Sequence, residues 1–338
     1  MKVLGIESSC DETAAAVVED GRRILSNIVA SQQHLHRKYG GVVPEIAARA
    51  HIEAILPVLD EALDAAGVTF DDIDVIAVTD RPGLVGALLI GISAAKAIAW
   101  ARQKPLVAVD HVRAHIYAYR LQSDEQIYPC VGLIASGGHT LITYSESETE
   151  CRILGTTIDD AAGEAFDKVA SILELGYPGG PVIDKLARQG NPKAIDFPRS
   201  YLEPGSLNFS FSGIKTAVLY HWKGQNGKSQ PPPEVRGSLE DVVASFQEAI
   251  VDVLVDKTIL AAEQSGVNRV IIGGGVACNS RLREKMQTAA GARNLKLFIP
   301  SPSLCTDNAA MTAGLGYHIA QAGEFASLDL EAKPGLIR

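Results

Sequence analysis

Apolar residues in this chain come in short runs separated by small polar turns. Residues 2–8, 13–18 and 23–30 read as three strands, with Ser9-Cys10-Asp11-Glu12 and Asp20-Gly21 as the turns between them. A long helix follows, opened by Pro44 and closed by Gly67. Strand 75–79, helix 85–101 and strand 106–109 come next, and then a helix that carries His111 and His115. The second half starts the same way: strand 130–135, the turn Ser136-Gly137-Gly138-His139, strand 140–144 and strand 150–155. Helices near 161–175 and 182–189 follow. Residues 191–233, rich in Pro, Ser and Gly, read as an irregular insertion. Helix 238–264, strand 270–273, helix 279–289, strand 296–299 and helix 307–320 complete the half, and the tail from Phe325 reads as peripheral.

One arrangement therefore occurs twice: strand, tight polar turn, strand, strand, then alternating helices and strands. Repetition on this scale predicts two similar α/β lobes facing a cleft, with both hairpin turns directed into it. The abundance of Gly (31) and the low aromatic content (6%) favour close helix–sheet packing over a β-sandwich.

The formal net charge is -9. So acidic a chain does not hold nucleic acid strongly by itself, because that affinity comes from Lys and Arg on phosphates. An RNA substrate would need a local basic patch or a partner subunit. Cys10, Cys130, Cys151, Cys278 and Cys305 form no CxxC pair, which argues against a zinc knuckle and suits reduced thiols in a cytosol. No secretory signal is visible, since Lys2 is followed by only four apolar or small residues before Glu7. The longest apolar stretch, 83–100, has the length of a membrane span, but its Gly and Ala content and flanking strands favour a helix packed on a sheet, with no membrane.

His111 and His115, four residues apart, lie on one helix face at the carboxyl end of a strand. Asp307, at the start of a later helix, offers a carboxylate. Two imidazoles and a carboxylate can hold a divalent metal and leave positions open for substrate. The spacing is that of a zinc-protease helix, but the general base of those enzymes would stand at Val112, which disfavours a metallopeptidase. Ser136-Gly137-Gly138 reads as either an ordinary hairpin or an anion nest. Gly273-Gly274-Gly275 leads toward a helix opening near Asn279, which can cap that helix or bind a nucleotide. Asp11 and Glu12, in the first hairpin turn, are either turn formers or proton carriers.

Several segments taken together resemble the bacterial tRNA N6-adenosine threonylcarbamoyltransferase family: Gly5-Ile6-Glu7-Ser8-Ser9-Cys10-Asp11-Glu12-Thr13, Tyr39-Gly40-Gly41-Val42-Val43-Pro44-Glu45, His111 with His115, and Ser136-Gly137-Gly138-His139-Thr140. So do 159–168, 177–181, Phe209-Ser210-Phe211-Ser212-Gly213-Ile214-Lys215-Thr216 and Cys305-Thr306-Asp307-Asn308. The resemblance implies a duplicated actin-like fold of the kind found in sugar kinases. Its N-terminal lobe would span 1–108, completed by a C-terminal helix at about 312–325. Its C-terminal lobe would span 109–311, with an inserted loop region at about 190–237.

The resemblance also implies transfer of a threonylcarbamoyl group from threonylcarbamoyl-AMP to N6 of adenosine 37, in tRNAs reading codons that begin with A. His111, His115 and Asp307 match the metal ligands, with one divalent metal per subunit, Fe2+ ahead of Zn2+. Ile134, Ala135, Ser136, Gly137, Gly138, Asp167, Gly180, Asp184 and Asn279 match positions that bind the adenylate. The implied partners are tRNA, a paralogous actin-like subunit and a small ATPase (the TsaB and TsaE types), and the implied compartment is the cytoplasm. Two departures stand out. Ile134 occupies the place of a metal-binding tyrosine in archaeal-type relatives, and Arg81 precedes Pro82-Gly83-Leu84 where the family favours glycine.

On this reading Asp11 and Glu12 are the candidate catalytic residues, for proton handling, and Lys215 and Arg81 are candidates to meet the anticodon loop. An actin-like-fold ATPase or kinase is the main rival, since fold alone does not decide function, but magnesium-ATP chemistry calls for carboxylates and water rather than imidazoles. A catalytically silent scaffold is a further alternative.

Overall fold

The computed structural model describes residues 1–224 and 236–336. The chain divides into two units. The first comprises residues 1–128, 146–151 and 300–338, and the second residues 129–145 and 152–299. The histidine helix and Asp307 thus share the first unit, whereas the lobes implied by the resemblance put both in the second.

The first unit is built on a mixed five-stranded sheet of order β3-β2-β1-β4-β5. Its strands are β1 (Lys2–Glu7), β2 (Glu12–Glu19), β3 (Arg23–Ser31), β4 (Val75–Arg81) and β5 (Leu106–Asp110). β1 and β2 form an antiparallel hairpin, β3 extends it, and β4 and β5 add in parallel. The second unit repeats the plan as β10-β9-β6-β7-β8. Here β6 (Cys130–Ala135) pairs antiparallel with β7 (Thr140–Ser145) and parallel with β9 (Arg269–Gly273). β8 (Cys151–Thr156) and β10 (Lys296–Phe298) are the edges. Read from the third strand of each unit, the two orders are the same, so the repeat in the sequence is a repeat in topology.

Both faces of the first sheet are buried, so its strands read as nearly continuous apolar runs. One face packs Leu4, Ile6, Val17, Ile76 and Val78 against the helices Pro44–Ala66 and Val85–Arg102. Val85–Arg102 is long and apolar enough to cross a membrane by length and composition, yet Leu88, Gly91, Ile92 and Ala95 face this core. The other face packs Val3, Ala16, Ala77 and Val109 against the histidine helix, His111–Tyr117, and the last helix, Ala309–Gln321.

Gly5 allows that last helix to approach β1. A Cβ there would lie 2.4 Å from the Ala309 carbonyl oxygen. Gly316 meets the sheet in the same way, 2.5 Å from the Ala77 Cβ. The helix start, and Asp307 just before it, is thereby drawn to the carboxyl end of β1.

Three local readings change. The segment 191–233 contains a helix, Ser212–Lys223, whose Ile214 and Val218 are buried one turn apart; residues 225–235 of the expected insertion lie outside the described residues. The tail is not peripheral. Ala326 bridges to Leu106, the Lys333 N–H donates to the Asp80 carbonyl, and the Gly83 N–H donates to the Pro334 carbonyl. Arg81 ends β4 without a positive φ, and its guanidinium forks onto Asp80.

Candidate metal centre and binding loops

β5 delivers the histidine helix. The Asp110 carboxylate caps it, accepting from the Val112 and Arg113 N–H groups at 2.9 and 3.1 Å. His111 and His115 follow on the inner face, buried, with ring centroids 4.6 Å apart and planes nearly perpendicular. Asn308 caps the last helix through the Met311 N–H, which fixes the backbone beside Asp307. The Asp307 Oδ1 lies 3.0 Å from His115 Nε2 and 3.5 Å from His111 Nε2. One ligand atom from each of the three residues falls within 4.8 Å of the others, a cluster able to hold a metal ion.

A further residue decides how this cluster behaves. Glu7, fully buried at the end of β1, sits 3.0 Å from His111 Nδ1 through Oε2. The same carboxylate accepts from the Ser9 N–H at 2.8 Å, the Thr79 hydroxyl at 2.6 Å and the Thr312 hydroxyl at 3.3 Å. An ionised carboxylate only accepts, so the hydrogen of His111 belongs on Nδ1 and the Nε2 lone pair faces Asp307. An imidazole lone pair opposite a carboxylate oxygen is unfavourable unless a cation or a proton lies between them. That arrangement fits a divalent metal bound through Nε2, with Glu7 as the carboxylate behind the histidine.

Without a metal a proton takes that place. Burial alone would lower the His111 pKa, but Glu7 and Asp307 outweigh it and raise it well above the ordinary imidazole range. Burial likewise works against the charge on Asp307, and His111 and His115 overcome it, holding the carboxyl well below its usual range. His115, deeply buried, is pushed down, with Asp307 opposing. Its Nδ1 is buried with no hydrogen-bond partner among the described residues.

The turn between β1 and β2 carries Asp11 and Glu12. Burial, then the charges of Asp307 and Asp11, raise the Glu12 carboxyl well above its usual range. His51, from the Pro44–Ala66 helix, braces the turn: its Nε2 donates to the Cys10 carbonyl at 3.0 Å and its Nδ1 accepts from the Thr13 hydroxyl at 2.7 Å.

In the second unit, Ile134 and Ala135 end β6 and are buried, and Ser136-Gly137-Gly138 turns the chain into β7. The Ser136 N–H donates to the His139 carbonyl at 2.7 Å, while a Cβ on Gly137 or Gly138 would meet nothing within 4 Å. The helix Ala162–Ile172 starts against this turn, the Gly163 N–H donating to the Ser136 carbonyl at 3.1 Å. Gly274, at φ 83°, approaches Ala135 so closely that a Cβ would lie 2.3 Å from its carbonyl oxygen.

The other predicted binding residues form two small clusters. Asp167 accepts from the Gly179 N–H at 2.7 Å, and the adjacent Gly180 is open. Asp184 accepts from the Ser280 N–H and hydroxyl and from Arg188. Asn279 caps the helix Ser280–Ala292 through the Leu282 N–H and donates to Gln247 at 2.7 Å. Lys215, a candidate for the anticodon loop, is paired with Asp160 at 2.7 Å. Sequence reasoning missed Glu7 and His51. The available signal was a carboxylate closing an otherwise apolar strand and a histidine on the apolar stripe of a helix.

Residues 23–314 match the family model described as tRNA N6-adenosine threonylcarbamoyltransferase. A relative of that name from Symbiobacterium thermophilum is 55% identical over 334 residues, covering 99% of this chain and 96% of its own length. Among solved structures, component A of the (R)-2-hydroxyglutaryl-CoA dehydratase of Acidaminococcus fermentans is similar at a TM-score of 0.57 and 15% identity, over 95% of this chain and 99% of that one. The ROK hexokinase of Thermus thermophilus is similar at 0.52 and 16% identity, over 96% and 100%. At these identities the structural likenesses establish the fold, which is the actin-like one.

Proposed function

Because the chain belongs to the tRNA N6-adenosine threonylcarbamoyltransferase family, and so acts in tRNA modification by threonylcarbamoyl transfer, we propose a division of that chemistry between its two units. The donor is threonylcarbamoyl-AMP and the acceptor is adenosine 37 of tRNAs that read codons beginning with A. The second unit holds the donor. The N–H groups of Gly137 and Gly138, where a side chain would meet only open space, take its phosphate, helped by the helix that starts against that turn. Ile134 and Ala135 line the same strand end. Asp167 with Gly180, and Asp184 beside the Asn279 cap, receive the nucleoside: Asp184 Oδ1 is filled by the Ser280 N–H and hydroxyl, but Oδ2 accepts only from Arg188 and keeps a lone pair suited to a ribose hydroxyl.

In the first unit His111, His115 and Asp307 hold a divalent metal, Fe2+ or Zn2+. Such an ion supplies Lewis-acid polarisation of a carbonyl or phosphoryl oxygen. The N6 amine attacks the carbamoyl carbon, a new C–N bond forms, and the bond from that carbon to the phosphate oxygen breaks, so that AMP leaves with the electron pair. Asp11 or Glu12 takes the amine proton. The observation that carries this reading is the convergence of both Nε2 atoms on one Asp307 oxygen, with Glu7 holding the tautomer.

A partner subunit of the same fold and a small ATPase complete the assembly, in the cytoplasm. Exposed apolar side chains support a protein partner: Ile52 and Leu56 on one helix, Val85 and Leu89 on the next, each pair one turn apart and 47–66% exposed.

The test is transfer from supplied threonylcarbamoyl-AMP to a tRNA transcript, read by nucleoside mass spectrometry. His111→Ala is expected to lose both bound metal and product. A metal-stripped chain that keeps the wild-type rate would overturn the scheme.

A further inference from the structure

An acidic chain that modifies tRNA needs local positive charge. The two cations singled out from the sequence do not supply it, since Arg81 is spent on Asp80 and Lys215 on Asp160. The segment between β3 and the Pro44–Ala66 helix, together with the first turns of that helix, does. Residues 33–49 carry Arg37, Lys38 and Arg49 against a single carboxylate, Glu45. All three cations are exposed, and none has a carboxylate partner within 4.0 Å among the described residues. Tyr39 is 53% exposed, with the Lys38 Nζ 4.8 Å from its ring centroid. Gly40 and Gly41 follow, with open space where side chains would stand.

Side-chain hydrogen bonds tie down the base of the segment. Buried His36 accepts from the Val43 N–H and bonds Gln32, and Gln32 donates from its side chain to the Ala47 carbonyl. The base also adjoins the candidate catalytic turn: the Gln32 N–H donates to the Asp11 carbonyl at 3.0 Å, and Ser31 is the ladder partner of Glu12.

We propose that Arg37, Lys38 and Tyr39 form the docking surface for the single-stranded anticodon loop of the tRNA, the two cations on phosphates and the tyrosine ring under a base. Unpaired cations beside an exposed aromatic ring are what a single-stranded RNA loop binds, through charge and stacking. The inference rests on the proposed tRNA reaction for its ligand, but its own readout is binding.

The experiment measures fluorescence anisotropy of a labelled tRNA transcript against the full-length chain over a range of salt, for wild type, the Arg37→Ala/Lys38→Ala double variant, Tyr39→Ala and Tyr39→Phe. The double variant is expected to lower the slope of log affinity against log salt by about 1.4, at about 0.7 per lost single-strand phosphate contact. Tyr39→Ala is expected to weaken binding at least about five-fold, with Tyr39→Phe near wild type. Bound metal and the KM for the donor should not change. Unchanged affinity and slope, or no salt-dependent tRNA binding by the wild-type chain, overturns the proposal. So does loss of a protein partner with tRNA binding intact. If binding responds as expected while wild type, supplied with threonylcarbamoyl-AMP and its partner subunits, makes no modified nucleoside, the proposed reaction fails and this surface stands.

Discussion

Replacing Glu7 with Gln tests the metal centre without touching a ligand. The substitution keeps volume and shape but removes the charge and makes one end of the side chain a donor. Glu7 faces only donors: Ser9 N–H on one oxygen, and Thr79, Thr312 and His111 on the other. If the amide oxygen takes the place of Oε2, the amide N–H2 confronts the Ser9 N–H. If it takes the place of Oε1, three donors lose their acceptor. Either way a charge-assisted network with no solvent access is broken at one point, a cost of about 1–3 kcal/mol of stability. A metal held through His111 would lose the carboxylate that fixes the His111 tautomer and makes the ring more basic. Loss of such a partner weakens metal affinity by about 10–100-fold, which is about 1.4–2.7 kcal/mol. Competition with a chelator of known affinity measures the second quantity and chemical denaturation the first. The absorption spectrum of the cobalt-loaded chain adds a readout that stability alone does not move. A variant that folds, binds metal with wild-type affinity and shows the wild-type cobalt spectrum would refute the assignment of Glu7.

Other outcomes follow from the same geometry. Asp110→Ala removes the cap of the histidine helix and should cost about 1 kcal/mol, with a parallel fall in metal affinity seen in the same two assays. Gly5→Ala forces a Cβ to 2.4 Å from the Ala309 carbonyl; displacing the last helix should cost about 1–3 kcal/mol by denaturation and reduce metal retained on dialysis, whereas wild-type values for both would show that the close approach does not matter. In the second unit Glu248 is partly desolvated, yet Arg281 and Lys285 hold its pKa down at about 2. A carboxyl depressed when folded adds stability above its ordinary pKa, and that stability is lost as pH falls toward about 2. Glu248→Gln should therefore be less stable than wild type at pH 7 and converge on it near pH 2, which denaturation across that range would detect.

Much of this architecture was legible in the sequence because both sheets are covered on two faces, so their strands appear as apolar runs cut by Gly and Asp turns. Pro44 and Gly67 marked the bounds of a helix that the structure places at Pro44–Ala66. The histidine pair was legible because four-residue spacing on a helix puts two side chains on one face whatever surrounds them. Glu7 was not, because a lone carboxylate at a strand end has no periodicity, and its meaning comes from donors on Ser9, Thr79, His111 and Thr312, up to 305 residues away. The helix Ser212–Lys223 was hidden by the Ser, Gly and Pro around it, since only Ile214 and Val218 mark its buried side. The tail escapes the sequence reading because it is anchored by backbone groups at Ala326, Lys333 and Pro334 and by only three spaced apolar side chains, Ala326, Leu330 and Ala332, too few to make a pattern.

Because the first unit is closed by residues from 300 onward, its assembly has an order in time. His115 and Asp307 are 192 residues apart. At translation rates of 5–20 residues per second, the ribosome takes roughly 10–40 s to deliver the carboxylate after the imidazoles. Through that interval Val3, Ala77 and Val109 lack the helix that covers them, and the nascent chain has two-thirds of a cation trap. Premature termination anywhere before Asp307 therefore yields a polypeptide with an uncovered sheet and only two of the three side chains of the candidate metal cluster.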